Sequence, residues 1–319
     1  MHVLTKSAAG NKGPGTRRMR AVWLSLATLV VCLLAAMPGH ALFAQGTDAA
    51  ATLRSKFQSL TQQLEHNPFH RQLYMDSSES PTNLKGDIYA VVDYPFATVN
   101  GALNDPANGP ANWCDVLILH LNVKYCHAAT NNGAARLDVN LGKKVEEKLS
   151  STYRVQFNYR SAVAAADYFR VELNADTGPL STKDYRIVLE AIPVSGNRTF
   201  LHLTYAYGYG VAGRLAMKTY LSTIGSDKVG FTTVNDASSG QPEYIGGVRG
   251  LLERNTMRYY LAIDAYLGAL QAPASARLQQ RLTTWFDATE QYPRQLHEVD
   301  RDDYLQMKHN EYRRQQTAQ

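Results

Sequence analysis

The chain has 319 residues, 45% of them hydrophobic, with 33 Lys and Arg against 28 Asp and Glu and a formal net charge of +5. Five of the bases, Lys6, Lys12, Arg17, Arg18 and Arg20, fall in the first 44 residues, which hold no acid, so the remainder balances at 28 against 28. That balance argues against a nucleic-acid-binding surface, and the remaining length suits one large domain or a domain with extensions.

Residues 1–44 read as an export signal: a basic start, an apolar run from Ala21 to Met37, and the small-residue exit Pro38-Gly39-His40-Ala41-Leu42-Phe43-Ala44. Cleavage is expected after Ala44, with Ala41 the other candidate. The competing reading is a retained N-terminal anchor, because the apolar run approaches a spanning length. Cys32 follows Val31 inside that run and makes a poor lipid-attachment site.

Leu53, Phe57, Leu60 and Leu64 recur at helical spacing, which predicts a helix over Ala49–Glu65 ended by Asn67-Pro68. His66 and His70 have metal-like spacing, but Pro68 between them breaks the helix that would align them. Ser77–Asn83 is polar and turn-rich. Asp87–Tyr94 alternates as a strand, and Ala97–Leu103 is a short helix. His120, Asn122 and Lys124 share one face of a strand; a solvated sheet face is expected, with polar groups inside a cavity as the alternative. Further strands are predicted over Ala135–Val139, Thr152–Arg160, Tyr168–Leu173, Tyr185–Val194 and Thr199–Tyr209. Asp176-Thr177-Gly178-Pro179 supplies a turn. In the last strand Leu201, Leu203, Tyr205, Tyr207 and Tyr209 share a face, the pattern of an antiparallel sheet with one side on a core. Ala212–Ile224 reads as a helix and Val229–Val234 as a strand or extended loop. Leu251–Leu270 is a strong helix with an apolar stripe of Leu252, Tyr259, Ile263 and Tyr266. A charged helical tail from Ala276 to Arg314 is expected to dock through Trp285-Phe286.

Beyond the signal two cysteines remain, Cys114 and Cys126. In an oxidising compartment such a pair is expected to form a bridge; two buried thiols are the alternative. Their flanking histidines, His120 and His127, lack the spacing of a zinc site, so no metal is expected. The sequence has no Walker loop, dinucleotide fingerprint, HExxH or GxSxG elbow, and no catalytic residue is assigned. Asn197-Arg198-Thr199 matches a glycosylation sequon.

The opening strand, the turn Ala102-Leu103-Asn104-Asp105-Pro106-Ala107-Asn108-Gly109-Pro110-Ala111-Asn112-Trp113 and the closing tyrosine-rich helix together resemble the START / polyketide-cyclase-like superfamily, also called SRPBCC or helix-grip. The turn stands where that family has an L.DP..W pattern. The resemblance covers roughly residues 84–270. It implies an α+β fold in which a curved antiparallel sheet wraps a long C-terminal helix, here with N- and C-terminal helical extensions. The chain then divides into a signal (1–44), an N-terminal helix and linker (45–83), a START-like ligand-binding domain (84–270) and a C-terminal helical extension (271–319).

Such a sheet and helix enclose space for an apolar ligand. Tyr205, Tyr207, Tyr259, Tyr260 and Tyr266 are the candidate lining. Arg254 and Arg258, four apart on one helix face, are candidates to grip an anionic head group. The competing reading ties these arginines to sheet acids such as Glu172 or Glu190. Ile224–Gly247, rich in Gly and Ser, is the candidate gate. The function expected is an exported binding or transfer protein for a hydrophobic small molecule or lipid in the cell envelope. It would be periplasmic or secreted, with no cofactor, no nucleic-acid partner, and transient membrane contact allowed. The alternatives are a cyclase- or hydrolase-type enzyme on the same scaffold, or a structural envelope protein with an unidentified protein partner.

Overall fold

The computed structural model describes residues 39–131, 133–223, 228–234 and 242–317, with side chains from Asp48 onward apart from 216, 218 and 220–223. The expected signal lies mostly on 1–38, outside the described residues. The chain divides into two units, Met1–Thr47 and Asp48–Gln319, and the fold below is that of the second.

Eight strands form one antiparallel sheet: β1 (Leu73–Glu79), β2 (Asn83–Val92), β3 (Val123–Asn131), β4 (Ala134–Leu141), β5 (Tyr153–Ala165), β6 (Tyr168–Thr177), β7 (Thr182–Val194) and β8 (Arg198–Tyr209). Their order is β1-β2-β8-β7-β6-β5-β4-β3, so β3 to β8 run as a meander and the first hairpin joins at β8. Alternation fixes the register, because a one-residue slip would turn every apolar side chain outward. One cross-strand row is Ile88, Leu203, Leu189 and Val171, all buried on the inner face. The adjacent row, Tyr89, His202, Glu190 and Arg170, faces the other way.

The sheet curves around α6 (Gly247–Gly268), the helix-grip arrangement expected from the sequence. The other helices are α1 (Gly39–Ser59), α2 (Thr61–Glu65), α3 (Phe96–Leu103), α4 (Gly109–Leu117), α5 (Val211–Thr223), α7 (Ala274–Thr289), α8 (Pro293–Leu296) and α9 (Arg301–Thr317). Helix α6 is buried nearly all round, from Leu252 to Leu267. Burial of this kind needs cover on the side away from the sheet. The C-terminal helices provide it: Trp285 Nε1 donates to Arg258 O at 3.1 Å, and the Trp285 ring stacks on Tyr304 at 5.0 Å. The tail is therefore part of the main core, with Trp285, Tyr304 and Met307 buried in it.

The outer face is also partly covered. Ala50 and Leu53 of α1, with Leu60 and Leu64, form a second apolar cluster with Tyr168, Ile192 and Phe200. Phe57 lies 4.8 Å from Phe200, and Lys56 Nζ sits over the Tyr89 ring at 4.9 Å.

Several expectations need correcting. The sheet begins at Leu73: Leu73, Met75 and Ser77 alternate inward, so the supposed linker contains a strand. The N-terminal helical pattern breaks at Leu60 into two helices. The segment 120–124 does not face solvent. His120 lies in the turn before β3, Lys124 at its start, and both are buried. Thr233 and Tyr244 make an isolated bridge, so Val229–Val234 is an extended loop.

Cys114 and Cys126 form the expected disulfide, with Cα atoms 5.2 Å apart. It ties α4 to β3, and Trp113 next to it donates to Leu103 O at 3.0 Å. Replacing both cysteines by alanine should lower stability by roughly 3 kcal/mol, because the short closed loop no longer restricts the unfolded chain. Paired thermal melts of oxidised wild type and the double variant check this. Equal melting temperatures would show that the bridge contributes nothing.

Candidate functional site

The inner end of the sheet is built from tyrosines. Strand alternation puts Tyr205 and Tyr207 of β8 on the inner face, Tyr185 of β7 beside them, and α6 brings Tyr259 down onto Tyr205. Ring centroids are 5.1 Å apart for Tyr205–Tyr259 and Tyr185–Tyr207, and 5.6 Å for Tyr205–Tyr207. Tyr185, Tyr205, Tyr207 and Tyr259 keep 8, 6, 5 and 7% of their surface accessible, where Leu203 and Ile263 keep 0%. Burial first, and neighbouring phenols second, push Tyr205, Tyr207 and Tyr259 above their ordinary pKa, so all three are neutral.

Their hydroxyls are not equally satisfied. Tyr185 shares a 2.8 Å hydrogen bond with Thr182 Oγ1, and Tyr207 points its hydroxyl at Met217 Sδ, 3.9 Å away on α5. Among the described residues none hydrogen-bonds to the hydroxyl of Tyr205 or Tyr259.

The other expected lining residues lie elsewhere. Tyr260 sits beside Arg71, Asp264 and Tyr292. Tyr266 lies under the Arg281 guanidinium at 4.4 Å, and burial raises its pKa to about 12. Arg254 and Arg258 are both fully buried. Arg258 donates to Glu298 at 2.8 Å and to Leu296 O at 3.2 Å, and Arg254 reaches Val229 O at 3.4 Å. The acid on Arg258 therefore comes from the C-terminal segment. Glu172 and Glu190 lie on the outer sheet face, where they pair with Arg160 and Arg170.

Three buried polar groups stand out, and for His120 and Lys124 it is the alternative of an interior position that holds. His120 stacks on Tyr259 at 4.9 Å. Its Nδ1 accepts from Asn122 N–H at 3.1 Å, which leaves the proton on Nε2, and Nε2 has no partner among the described residues. Burial, followed by the charges of Arg258, Lys308 and Lys144, holds it well below 6.5, so it is neutral. Glu253 is fully buried and accepts from Phe231 N at 2.6 Å, Thr232 N at 2.9 Å, Thr232 Oγ1 at 2.7 Å and Ser77 Oγ. It clamps the described part of the candidate gate to α6. The clamp needs glycine: a Cβ on Gly250 would meet Ile245 O at 2.7 Å and Gly230 N at 3.0 Å. Of the gate, 224–227 and 235–241 lie outside the described residues. The third is the buried trio Lys124, Glu311 and Lys308. Lys308 donates to His120 O and Val123 O at 2.7 and 2.8 Å, and Glu311 accepts from both lysines, which locks α9 onto β3.

Two surface grooves are present among the described residues, one of which reaches the edge of the tyrosine cluster at Tyr185. One, about 370 Å³, runs along the sheet by Arg160, Arg170, Asn174, Tyr185 and Arg186; the other, about 570 Å³, borders Glu146–Leu149 and Arg314. Neither is lined by Tyr205, Tyr207 or Tyr259. Among the described residues there is no cluster of His, Cys, Asp and Glu able to hold a metal, and no helix long and apolar enough to cross a membrane.

No protein-family model and no curated protein sequence matches the chain. Among solved structures it is similar to norcoclaurine synthase from Thalictrum flavum. A point mutant of that enzyme with a transition-state analogue is 10% identical, over 46% of this chain and 91% of that one, with a TM-score of 0.32. A truncated form is 11% identical over 47% and 91%, with a TM-score of 0.30. A further X-ray structure is 11% identical over 50% and 87%, at 0.29. Likeness at this level carries no residue of that enzyme's site over to this chain, and the resemblance to START-like proteins is one of fold.

On the outer face the sheet register assembles a charge network. His202 Nε2 lies 2.8 Å from Asp87 and Nδ1 3.0 Å from Glu190; Lys85 also pairs with Asp87, and Arg170 and Tyr168 with Glu190. Burial alone would lower the His202 pKa, but the two carboxylates outweigh it and raise it above 6.5. Burial alone would raise Asp87 and Glu190, yet hydrogen bonds led by His202 bring each to about 2. The histidine's contribution is complete below pH 6.5 and is lost as pH rises through its raised pKa. The carboxylates' contribution is complete above their ordinary values of 3.8 and 4.5 and is lost as pH falls toward 2. Melting curves of wild type and His202→Gln should therefore differ most between about pH 5 and 6.5 and converge in alkali. A difference that is constant with pH would show that His202 is neutral in the fold.

Proposed function

We propose that the protein is an exported carrier that holds an apolar small molecule, lipid-like and bearing a hydrogen-bonding or acidic end, between the inner face of the sheet and α6. The observation that carries this reading is the cluster of neutral phenols on the inner face, in which the hydroxyls of Tyr205 and Tyr259 meet no hydrogen-bonding group among the described residues. Hydroxyls on an aromatic inner surface that no protein group engages are free to orient a bound molecule. A ligand carbonyl or carboxylate oxygen between the two phenols would accept from them, with Arg254 supplying positive charge nearby. The apolar body would contribute roughly 25 cal/mol per Å² removed from water. Entry requires α5 to lift, since Met217 closes the space beside Tyr207.

Tyr205→Phe and Tyr259→Phe separate this reading from plain packing. Each should leave the melting temperature of the ligand-free protein unchanged, because no hydrogen bond within the described protein is lost. Each should also weaken a ligand that carries an acceptor, by about 0.5–1.5 kcal/mol or roughly two- to tenfold. Native mass spectrometry of protein taken from the cell envelope reads the rest. The expected mass begins at Gln45 and carries a releasable lipid-like adduct. A protein with an intact Met1, free of ligand, and phenylalanine variants that melt lower would overturn the proposal.

A catalytic reading rests on His120, a neutral imidazole stacked on Tyr259. Chemistry would require it to reach a ligand directly. If the extracted adduct is a single compound that His120→Gln replaces by a precursor, the scaffold is an enzyme.

A further inference from the structure

We propose that α5 and the turn Pro179–Ser181 form a docking surface for a lipid bilayer, so that the lid of the interior site is also its membrane contact. The inference rests on the carrier reading above for its purpose, and on separate observations for its place.

Helix α5 has two unlike faces. Inward, Gly213 and Met217 are buried, and Met217 Sδ meets the Tyr207 hydroxyl. Outward, Val211 and Leu215, four residues apart on one face, are 89 and 66% exposed. Leu180, 50% exposed, lies in the neighbouring turn. The turn and helix are in close contact, since a Cβ on Gly213 would meet Leu180 O at 3.1 Å. Leu180 itself has a left-handed backbone, with φ of 55°, that presents its side chain from a tight turn. Scattered exposed apolar residues need no explanation, but a contiguous ridge on a lid does.

Charge favours a lipid surface over a second protein. The sequence of α5 has two basic residues, Arg214 and Lys218, and no acid. Arg214 lies against the Tyr209 ring at 5.7 Å and donates to Pro81 O, which holds a positive charge at the level of the ridge. Apolar side chains flanked by basic ones are the composition of a helix that lies in the plane of an anionic membrane. Continuity with the interior points the same way. Cargo leaving past Met217 would emerge beside Leu215, and contact with acyl chains there would spare it a passage through water.

The test uses the protein in the form the cell makes. Amide hydrogen exchange is followed with and without vesicles of phosphatidylcholine mixed with phosphatidylglycerol. Exchange over Val211–Thr219 is expected to slow at least tenfold with vesicles, and the slowing to weaken as salt is raised. The double variant Val211→Ser/Leu215→Gln, altered only at exposed positions, should keep the wild-type melting curve and lose at least tenfold in vesicle affinity. Unchanged exchange over α5, or equal vesicle binding by the variant, would overturn the proposal. So would a wild-type dimer, seen by sedimentation without lipid and abolished in the variant, which would assign the ridge to a second copy. Titration of a fluorescent fatty-acid analogue without vesicles reads the interior site separately. Its failure counts against the carrier reading, whereas normal binding by the variant with lost docking supports both.

Discussion

Everything in this molecule depends on a helix that has no solvent face. Helix α6 lies in the grip of the sheet on one side and under the C-terminal helices on the other, yet it carries Glu253, Arg254 and Arg258, each fully buried. A charge taken from water must be paired and hydrogen-bonded where it comes to rest. The pairing is distributed along the chain: Glu253 takes the backbone N–H groups of Phe231 and Thr232, and Arg258 takes Glu298 and the Leu296 carbonyl. The segments around the grip fold are therefore obligatory to it. Glu298 supplies the acid that pairs with Arg258, so the C-terminal segment contributes to holding that buried charge as well as to covering the helix.

The sheet answers a similar constraint by separating its faces. Its register lines up Ile88, Leu203, Leu189 and Val171 inside, and Tyr89, His202, Glu190 and Arg170 outside. The outer row is neither fully wet nor fully covered. Helix α1 takes the apolar part around Phe200, and the ionic row beside it pairs with itself across strands. Opposite charges directly across a ladder support the same register that the inner apolar row requires. The two faces thus agree on one pairing, and agreement between levels is what makes a fold specific.

This logic explains what the sequence could and could not disclose. Strands β5 to β8 and helix α6 were legible because alternation and helical spacing are local and reflect one-sided burial. The inward set of Leu201, Leu203, Tyr205, Tyr207 and Tyr209 could be read directly. Strand β1 was missed because its second half, Asp76 to Glu79, is polar, and Ser77 is buried only to serve Glu253. His120 and Lys124 were misplaced for the same kind of reason. Polar residues at alternate positions look like a solvated strand, and only the arrival of α9, with Lys308 and Glu311, turns that face inward. Of the candidate site, Tyr205, Tyr207 and Tyr259 do meet, while Tyr260 and Tyr266 share their helix but not their surroundings. Side-chain direction on a helix buried all round has no signature in composition.

What separates structure from site here is the contrast between satisfied charges and unsatisfied phenols. Glu253, Arg258, Lys308 and Glu311 are each engaged by groups that hold the fold together, and their positions are accounted for by that work. The hydroxyls of Tyr205 and Tyr259 are accounted for by nothing inside the described protein. Phenylalanine would fill much the same space without a hydroxyl to place. On the carrier reading proposed above, these hydroxyls are the groups that a bound molecule would meet. Met217 lies between that interior and the outside. Helix α5 meets that aromatic surface through Met217 and shows Val211 and Leu215 outward, so both of its faces are apolar, but one packs on the protein's own tyrosines and the other stands open.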